Sequence, residues 1–165
     1  MPTNTFEHIG TTVVSGSSTT SIVFSGLSSW TNVIFVGRIQ PNATTTQMNV
    51  NLGGTQIFQQ MYSTGTSGTA LPVTSRYTGA GSCDLTVNGC TSAGGGGVSF
   101  KAHLIKNGGS QGFFLCEAGF EFNAGRMEYT VSNCFSPTNV TSITLGFFGQ
   151  VIKAGSTISA YGVMI

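Results

Sequence analysis

The chain has 165 residues, with six Lys/Arg against five Asp/Glu and a formal net charge of +1. That length holds one domain with one hydrophobic core and excludes a barrel enzyme, a two-domain dinucleotide enzyme or a kinase. Charged residues are 7% of the chain, against about 25% in ordinary globular proteins. No basic stripe can neutralise a run of phosphates, which excludes nucleic acid as a main partner.

Twelve Phe, four Tyr and one Trp supply the apolar surface of a packed fold rather than a disordered chain. A near-neutral surface made of Ser, Thr, Asn and Gln suits a protein that spends its life in an assembly. The segment Met1–His8 has no basic stretch followed by an apolar run, so no signal peptide is expected, and no stretch approaches transmembrane length. The expectation is synthesis in the cytoplasm. The sequons at Asn42 and Asn139 then carry no meaning.

The hydrophobic period is two throughout. Phe6–Val14 predicts an opening strand, followed by a Ser/Gly turn at 15–18 and a strand at Thr20–Phe24 that could return beside it. Ser25–Trp30 reads as a connection with apolar anchors. Asn32–Gln40 is the strongest strand, nearly continuous in apolar residues and stopped by Pro41. In Gln47–Leu52 the alternation turns Met48, Val50 and Leu52 inward. After Gly53-Gly54 comes Gln56–Tyr62.

From Ser63 to Gly81 the period is lost and the sequence predicts an excursion loop, with Pro72 limiting any strand. A tight hairpin is expected at 83–90, turning at Asn88-Gly89, before the run Gly94–Gly97. Val98–Lys106 alternates well and turns at Asn107-Gly108-Gly109 to pair with Gly112–Glu117. Further strand patterns lie at Arg126–Val131, Val140–Leu145 and Ser156–Val163. No window carries an amphipathic helix, because Gly, Thr and Ser interrupt each one.

Nine to eleven short strands with turn signals give an all-β fold, and the long connections favour a jelly-roll-like antiparallel β-sandwich over an up-and-down barrel. One domain is expected over 1–165, with a short N-terminal arm at about 1–7. The predicted inner faces carry Ile22, Phe24, Val33, Phe35, Met48, Val50, Leu52, Phe100, Leu104, Ile143, Leu145, Ile158 and Tyr161.

Chemistry-bearing residues are few. Cys83 and Cys90 bracket the expected hairpin and could close a short disulfide. The plainer reading keeps Cys83, Cys90, Cys116 and Cys134 as reduced, partly buried small apolar residues. Their spacing and the distance of both histidines in sequence disfavour zinc. His8 and His103 are the only imidazoles. His103 alternates with Ala102 and Leu104, so it faces with Lys101 and Ile105 on the more polar side, as a surface or interface residue.

Glu117, Glu121 and Glu128 could flank a sugar as paired carboxylates, but nothing in the spacing places them in a cleft. Gly94–Gly97 lacks the Gly-Lys-Ser/Thr of a phosphate loop and precedes a strand. No residue is therefore assigned to catalysis, to a cofactor or to a metal, and no enzyme is expected. Phe113-Phe114 and Phe147-Phe148 put one ring on each side of a strand. One ring fills the core. The other lies in a subunit contact, under the chain's own loops, or on a surface that stacks sugar.

Two end segments resemble a known family. Ser21-Ile22-Val23-Phe24-Ser25-Gly26-Leu27, then Trp30-Thr31-Asn32-Val33-Ile34-Phe35-Val36-Gly37-Arg38, is similar to the opening of small β-sandwich virion proteins of tailed bacteriophages. Thr141–Leu145 and Lys153-Ala154-Gly155-Ser156-Thr157-Ile158-Ser159-Ala160-Tyr161-Gly162 resemble that family's close. The stretch 41–139 matches nothing, Ala160 stands where the family has a larger apolar residue, and Val163–Ile165 runs past the usual stop.

The resemblance implies a structural part of a phage particle. Short length without a shaft favours a head decoration (cement) protein on the outer surface of the capsid, bound to the major capsid protein lattice. It also implies a homo-oligomer, with a trimer favoured; neither nucleic acid nor membrane is expected as a partner. The arm Pro2–Glu7 and the segments 63–81 and 91–97 are the expected lattice contacts. The alternative is a receptor- or glycan-binding knob or fibre module on the tail or head.

Overall fold

The computed structural model describes residues 6–16, 18–42, 46–54, 56–65, 73–86, 97–107, 111–123 and 126–163, of which 58, 60–65, 73–80, 121–123 and 126–127 are described by backbone alone. Among them are twelve β-strands and a single 3₁₀ turn, Leu27–Ser29. The strands are β1 (Phe6–Val13), β2 (Ser21–Phe24), β3 (Asn32–Ile39), β4 (Met48–Asn51), β5 (Gln56–Gly65), β6 (Val73–Ala80), β7 (Cys83–Asp84), β8 (Val98–Asn107), β9 (Gln111–Asn123), β10 (Arg126–Ser136), β11 (Ile143–Phe147) and β12 (Thr157–Val163).

They form two antiparallel sheets resembling a β-sandwich. The larger has eight strands in the order β1-β12-β3-β8-β9-β10-β5-β6, and the smaller has four in the order β2-β11-β4-β7. Between them lies one cluster of buried side chains. Phe35 of β3 meets Phe24 of β2 edge to face at 5.4 Å and Phe114 of β9 at 6.0 Å, so one ring ties the two sheets. All the predicted inner-face residues except Tyr161 are buried. Tyr161 lies three residues from the inward Ile158, and an odd separation on a regular strand turns a side chain to the opposite face. Its ring sits outside, 5.3 Å from those of Phe6 and His8.

Three further expectations are corrected. The strand at Ser21–Phe24 does not return beside β1: it enters the smaller sheet beside β11, while β1 pairs with β12. β1 and β2 therefore belong to different sheets and do not form a hairpin. Second, the described residues 63–65 and 73–80 of the excursion expected at 63–81 are strand. β5 runs on to Gly65 and β6 occupies Val73–Ala80, the two pairing from Gln56↔Ala80 to Tyr62↔Val73. Ser, Thr, Gly and Arg show no hydrophobic alternation there, and their strand state follows from pairing with a neighbour. Pro72 and 66–71 lie outside the described residues.

The third correction concerns the cysteines. Cys83 is bonded to Cys134, 51 residues away and with Cα atoms 6.2 Å apart, which overturns both the Cys83–Cys90 pairing and the fully reduced reading. Of the hairpin expected at 83–90, residues 87–90 with the Asn88-Gly89 turn and Cys90 lie outside the described residues. The hairpin predicted from Asn107 forms: β8 and β9 pair from Ser99↔Gly119 to Asn107↔Gln111. At its end Lys106 points inward, only 8% exposed, and its Nζ donates to the carbonyls of Leu27 and Ser28 on the 3₁₀ turn. Those contacts hold the connection between the sheets against β8.

Candidate functional site

The smaller sheet packs on the inner face of the larger one, where the buried residues of β12, β3, β8, β9 and β10 lie, and the outer face of the larger sheet has no layer of the described chain over it. Registers align its outward side chains into rows that cross the strands. One row runs Phe6, Val163, Asn32, Ile105, Phe113, Phe135, Ile57, across seven strands. At about 4.8 Å per strand it extends roughly 29 Å. Asn32 is its single polar member. Phe6 is 58% exposed, Phe113 53% and Ile105 46%, while the Phe113 and Phe135 rings lie 4.9 Å apart. Phe114 and Phe147 fill the core, and their neighbours Phe113 and Phe148 are left exposed.

β10 reverses the usual order of a half-buried strand. Its inward side chains include Glu128, Thr130, Ser132 and Ser136, all buried, while Tyr129, Val131 and Phe135 face out. The buried polar atoms are held by hydrogen bonds, as buried polar groups require. Thr130 Oγ1 donates to Glu128 Oε1 at 3.0 Å, and Ser132 Oγ donates to the Leu85 carbonyl at 3.3 Å. An apolar outward face and a polar inward one cost stability in an isolated subunit.

Beside the apolar row, in the middle of the sheet, is a depression of about 170 Å³ lined by Lys101, Ala102, His103, Leu115 and Glu117. Lys101 and Glu117 are directly opposite on β8 and β9, as are His103 and Leu115. Lys101 and Glu117 are both exposed, and no ion pair joins them among the described residues. His103 is half-buried with its Nε2 buried and without a hydrogen-bond partner. Beneath them the Cys116 thiol points into the core. Burial, and secondarily the charge of Glu117, pushes its pKa well above the ordinary thiol range.

The residues weighed from the sequence do not gather into a catalytic group. Glu117 faces outward and Glu128 inward, so the sheet itself separates the two carboxylates; the Glu121 side chain lies outside what is described. His8 sits on β1 at the sheet edge, where its Nε2 lies 2.8 Å from Thr11 Oγ1. His103 takes the face that alternation assigned to it, together with Lys101 and Ile105. Of Gly94–Gly97 only Gly97 is described. Sequence reasoning missed the transverse row, because its members come from seven strands and are brought together by register alone. The sole local signal was the doubled Phe at 113–114. No protein-family model and no curated protein matches the chain.

Proposed function

We propose that the chain is a structural subunit of a tailed-phage virion, a head decoration (cement) protein that binds the outside of the assembled capsid and stabilises it. The observation that carries the reading is the outer face of the larger sheet. A transverse apolar row beside a strand that keeps polar side chains inside is costly on a lone monomer and useful as contact surface in an assembly. The virion assignment draws on the end segments that resemble phage proteins, and those segments are spatial neighbours. β2 pairs with β11 and β3 with β12, and the Trp30 ring packs where Gly162 leaves no Cβ. A jelly-roll-like topology and self-association belong to the same reading.

A protein that binds assembled shell in preference to free capsid subunits stabilises the shell by linkage. Modest contacts repeated over a lattice add avidity without one strong site. β1 and β6 are the two edges of the larger sheet. The residues preceding β1 and the free edge of β6 are therefore the surfaces from which backbone pairing with the lattice is expected. A reconstruction of the whole particle tests the reading. Copies distributed over the head support it. Density confined to the tail tip or fibres overturns it in favour of the receptor- or glycan-binding module. Deleting residues 2–5 is expected to lower occupancy on otherwise intact heads.

A further inference from the structure

We infer that two copies of this chain pair face to face through the outer surface of the eight-stranded sheet, about a two-fold axis that runs along the strands between β8 and β9. The inference rests on the assembly-subunit reading only in expecting self-association; it concerns which surface associates and with what. The occupant is a second copy, and three features of the face select it.

The first is where the face is centred. β8 and β9 are the fourth and fifth of the eight strands, so an axis between them lays the whole sheet over its copy. β3 then faces β10 of the partner subunit and β12 faces its β5. The transverse row meets itself, with Ile105 over Phe113 of the partner subunit and Val163 over the partner's Ile57. Sheets that pack in this way keep their strands within about 30° of each other, roughly 10 Å apart.

The second is charge. Lys101 and Glu117 stand opposite each other across the proposed axis. Two-fold rotation places each Lys101 over Glu117 of the partner subunit, so two equivalent ion pairs span the interface. A face-to-face contact that turned the axis across the strands would not bring these two charges together. The depression they line sits on the axis, and two copies join it into one chamber whose polar groups are Lys101, His103 and Glu117.

The third is area. Phe6, Val36, Ile57, Ile105, Phe113 and Leu115 are between 37 and 58% exposed. On the scale of about 200 Å² for a whole aromatic side chain they present on the order of 500 Å² of apolar surface. A stable interface takes about 800 Å² from each partner. These six side chains supply over half of that, and outward polar residues such as Ser159, away from the axis, supply a rim. One surface in contact with itself closes as a two-fold pair, not as the trimer the phage resemblance implies.

Sedimentation equilibrium of the purified full-length chain tests this. The expected particle has twice the 17.1 kDa chain mass. F113K, whose side chain is outside the core, should keep the β-rich circular dichroism spectrum and weaken pairing at least tenfold. K101E and E117K should each weaken it alone, because like charges then face each other across the axis. An equimolar mixture of K101E and E117K should recover pairing as a mixed dimer, since opposite charges meet again at both positions. A monomer at high micromolar concentration, a stoichiometry other than two, or a dimer indifferent to all three substitutions overturns the inference. A stoichiometry other than two, or a dimer indifferent to the substitutions, leaves the capsid reading standing. A monomer removes the self-association from that reading as well, while the capsid location itself stands or falls on where the copies lie in the particle.

Discussion

Gly162 shows how a single missing side chain sets local structure. It lies on β12 with its inward face against the Trp30 ring, and a Cβ there would overlap Cε3 and Cδ2 of the indole. Trp30 follows the 3₁₀ turn and is half-buried against the core, so the close approach fixes how the connection between the sheets lies on β12. Gly162→Ala is expected to lower unfolding free energy by about 1–3 kcal/mol, the usual cost of overpacking a fitted contact. Urea denaturation followed by Trp fluorescence reads both the stability and the displaced indole. A change below about 0.5 kcal/mol, the ordinary range for surface substitutions, would show that the ring moves aside without cost. Glycine in a strand is a weak signal in sequence. It acquires a reason only when the ring from a distant segment is seen above it.

At the scale of elements, β7 and β10 are joined by the Cys83–Cys134 bond, which links the last strand of the smaller sheet to an interior strand of the larger one. β7 has two residues and, among the described residues, pairs with β4 alone, so the covalent link does more for its position than its hydrogen bonds. Closing a loop of 51 residues removes chain entropy from the unfolded state worth about 4 kcal/mol at most. Cys83→Ala, or reduction of the wild type, is expected to cost about 2–4 kcal/mol. Chemical denaturation with and without reductant measures it. Under non-reducing conditions, peptide mapping should recover the 83–134 link, with Cys116 as a free thiol that alkylating reagents reach only after unfolding. A Cys83–Cys90 peptide would overturn the assignment. Both sulfurs are buried, and β10 brings Cys134 there because its inward set also carries Thr130 and Ser132. Hydrophobic patterning does not reveal that arrangement.

For the whole molecule, the ends of the chain hold the larger sheet together. β12 lies between β1 and β3, so it is an interior strand made by the last described residues, and β1 is an edge strand with a single neighbour. Removing residues 157–165 strips β1 of its only partner and exposes β3. Truncation after Ser156 is therefore expected to give no cooperative folding. Removing residues 1–13 takes away one edge, and a folded chain of lower stability should remain. Thermal melts of the two truncations by circular dichroism check the contrast. A truncation after Ser156 that melts cooperatively would show that β1 and β12 are accessory to the fold.

Strand positions and most inward residues were legible in the sequence, because a period of two states locally which side chains can share a face. That is how Ile22, Phe35, Met48, Leu104 and Ile143 were placed, and how His103 was turned outward with Lys101 and Ile105. The sparse charge and the doubled aromatics at 113–114 and 147–148 also announced an apolar surface beyond what one core can hold. What alternation cannot contain is which strand lies beside which. The assignment of β2 to the smaller sheet, the hairpin of β5 and β6, the Cys83–Cys134 bond and the reversed faces of β10 all depend on pairings between distant segments. The transverse row exists only because seven registers bring one residue each into line. Local sequence determined the period, and the tertiary structure alone decided the register, since the energy that selects a register comes from neighbours far away in the chain.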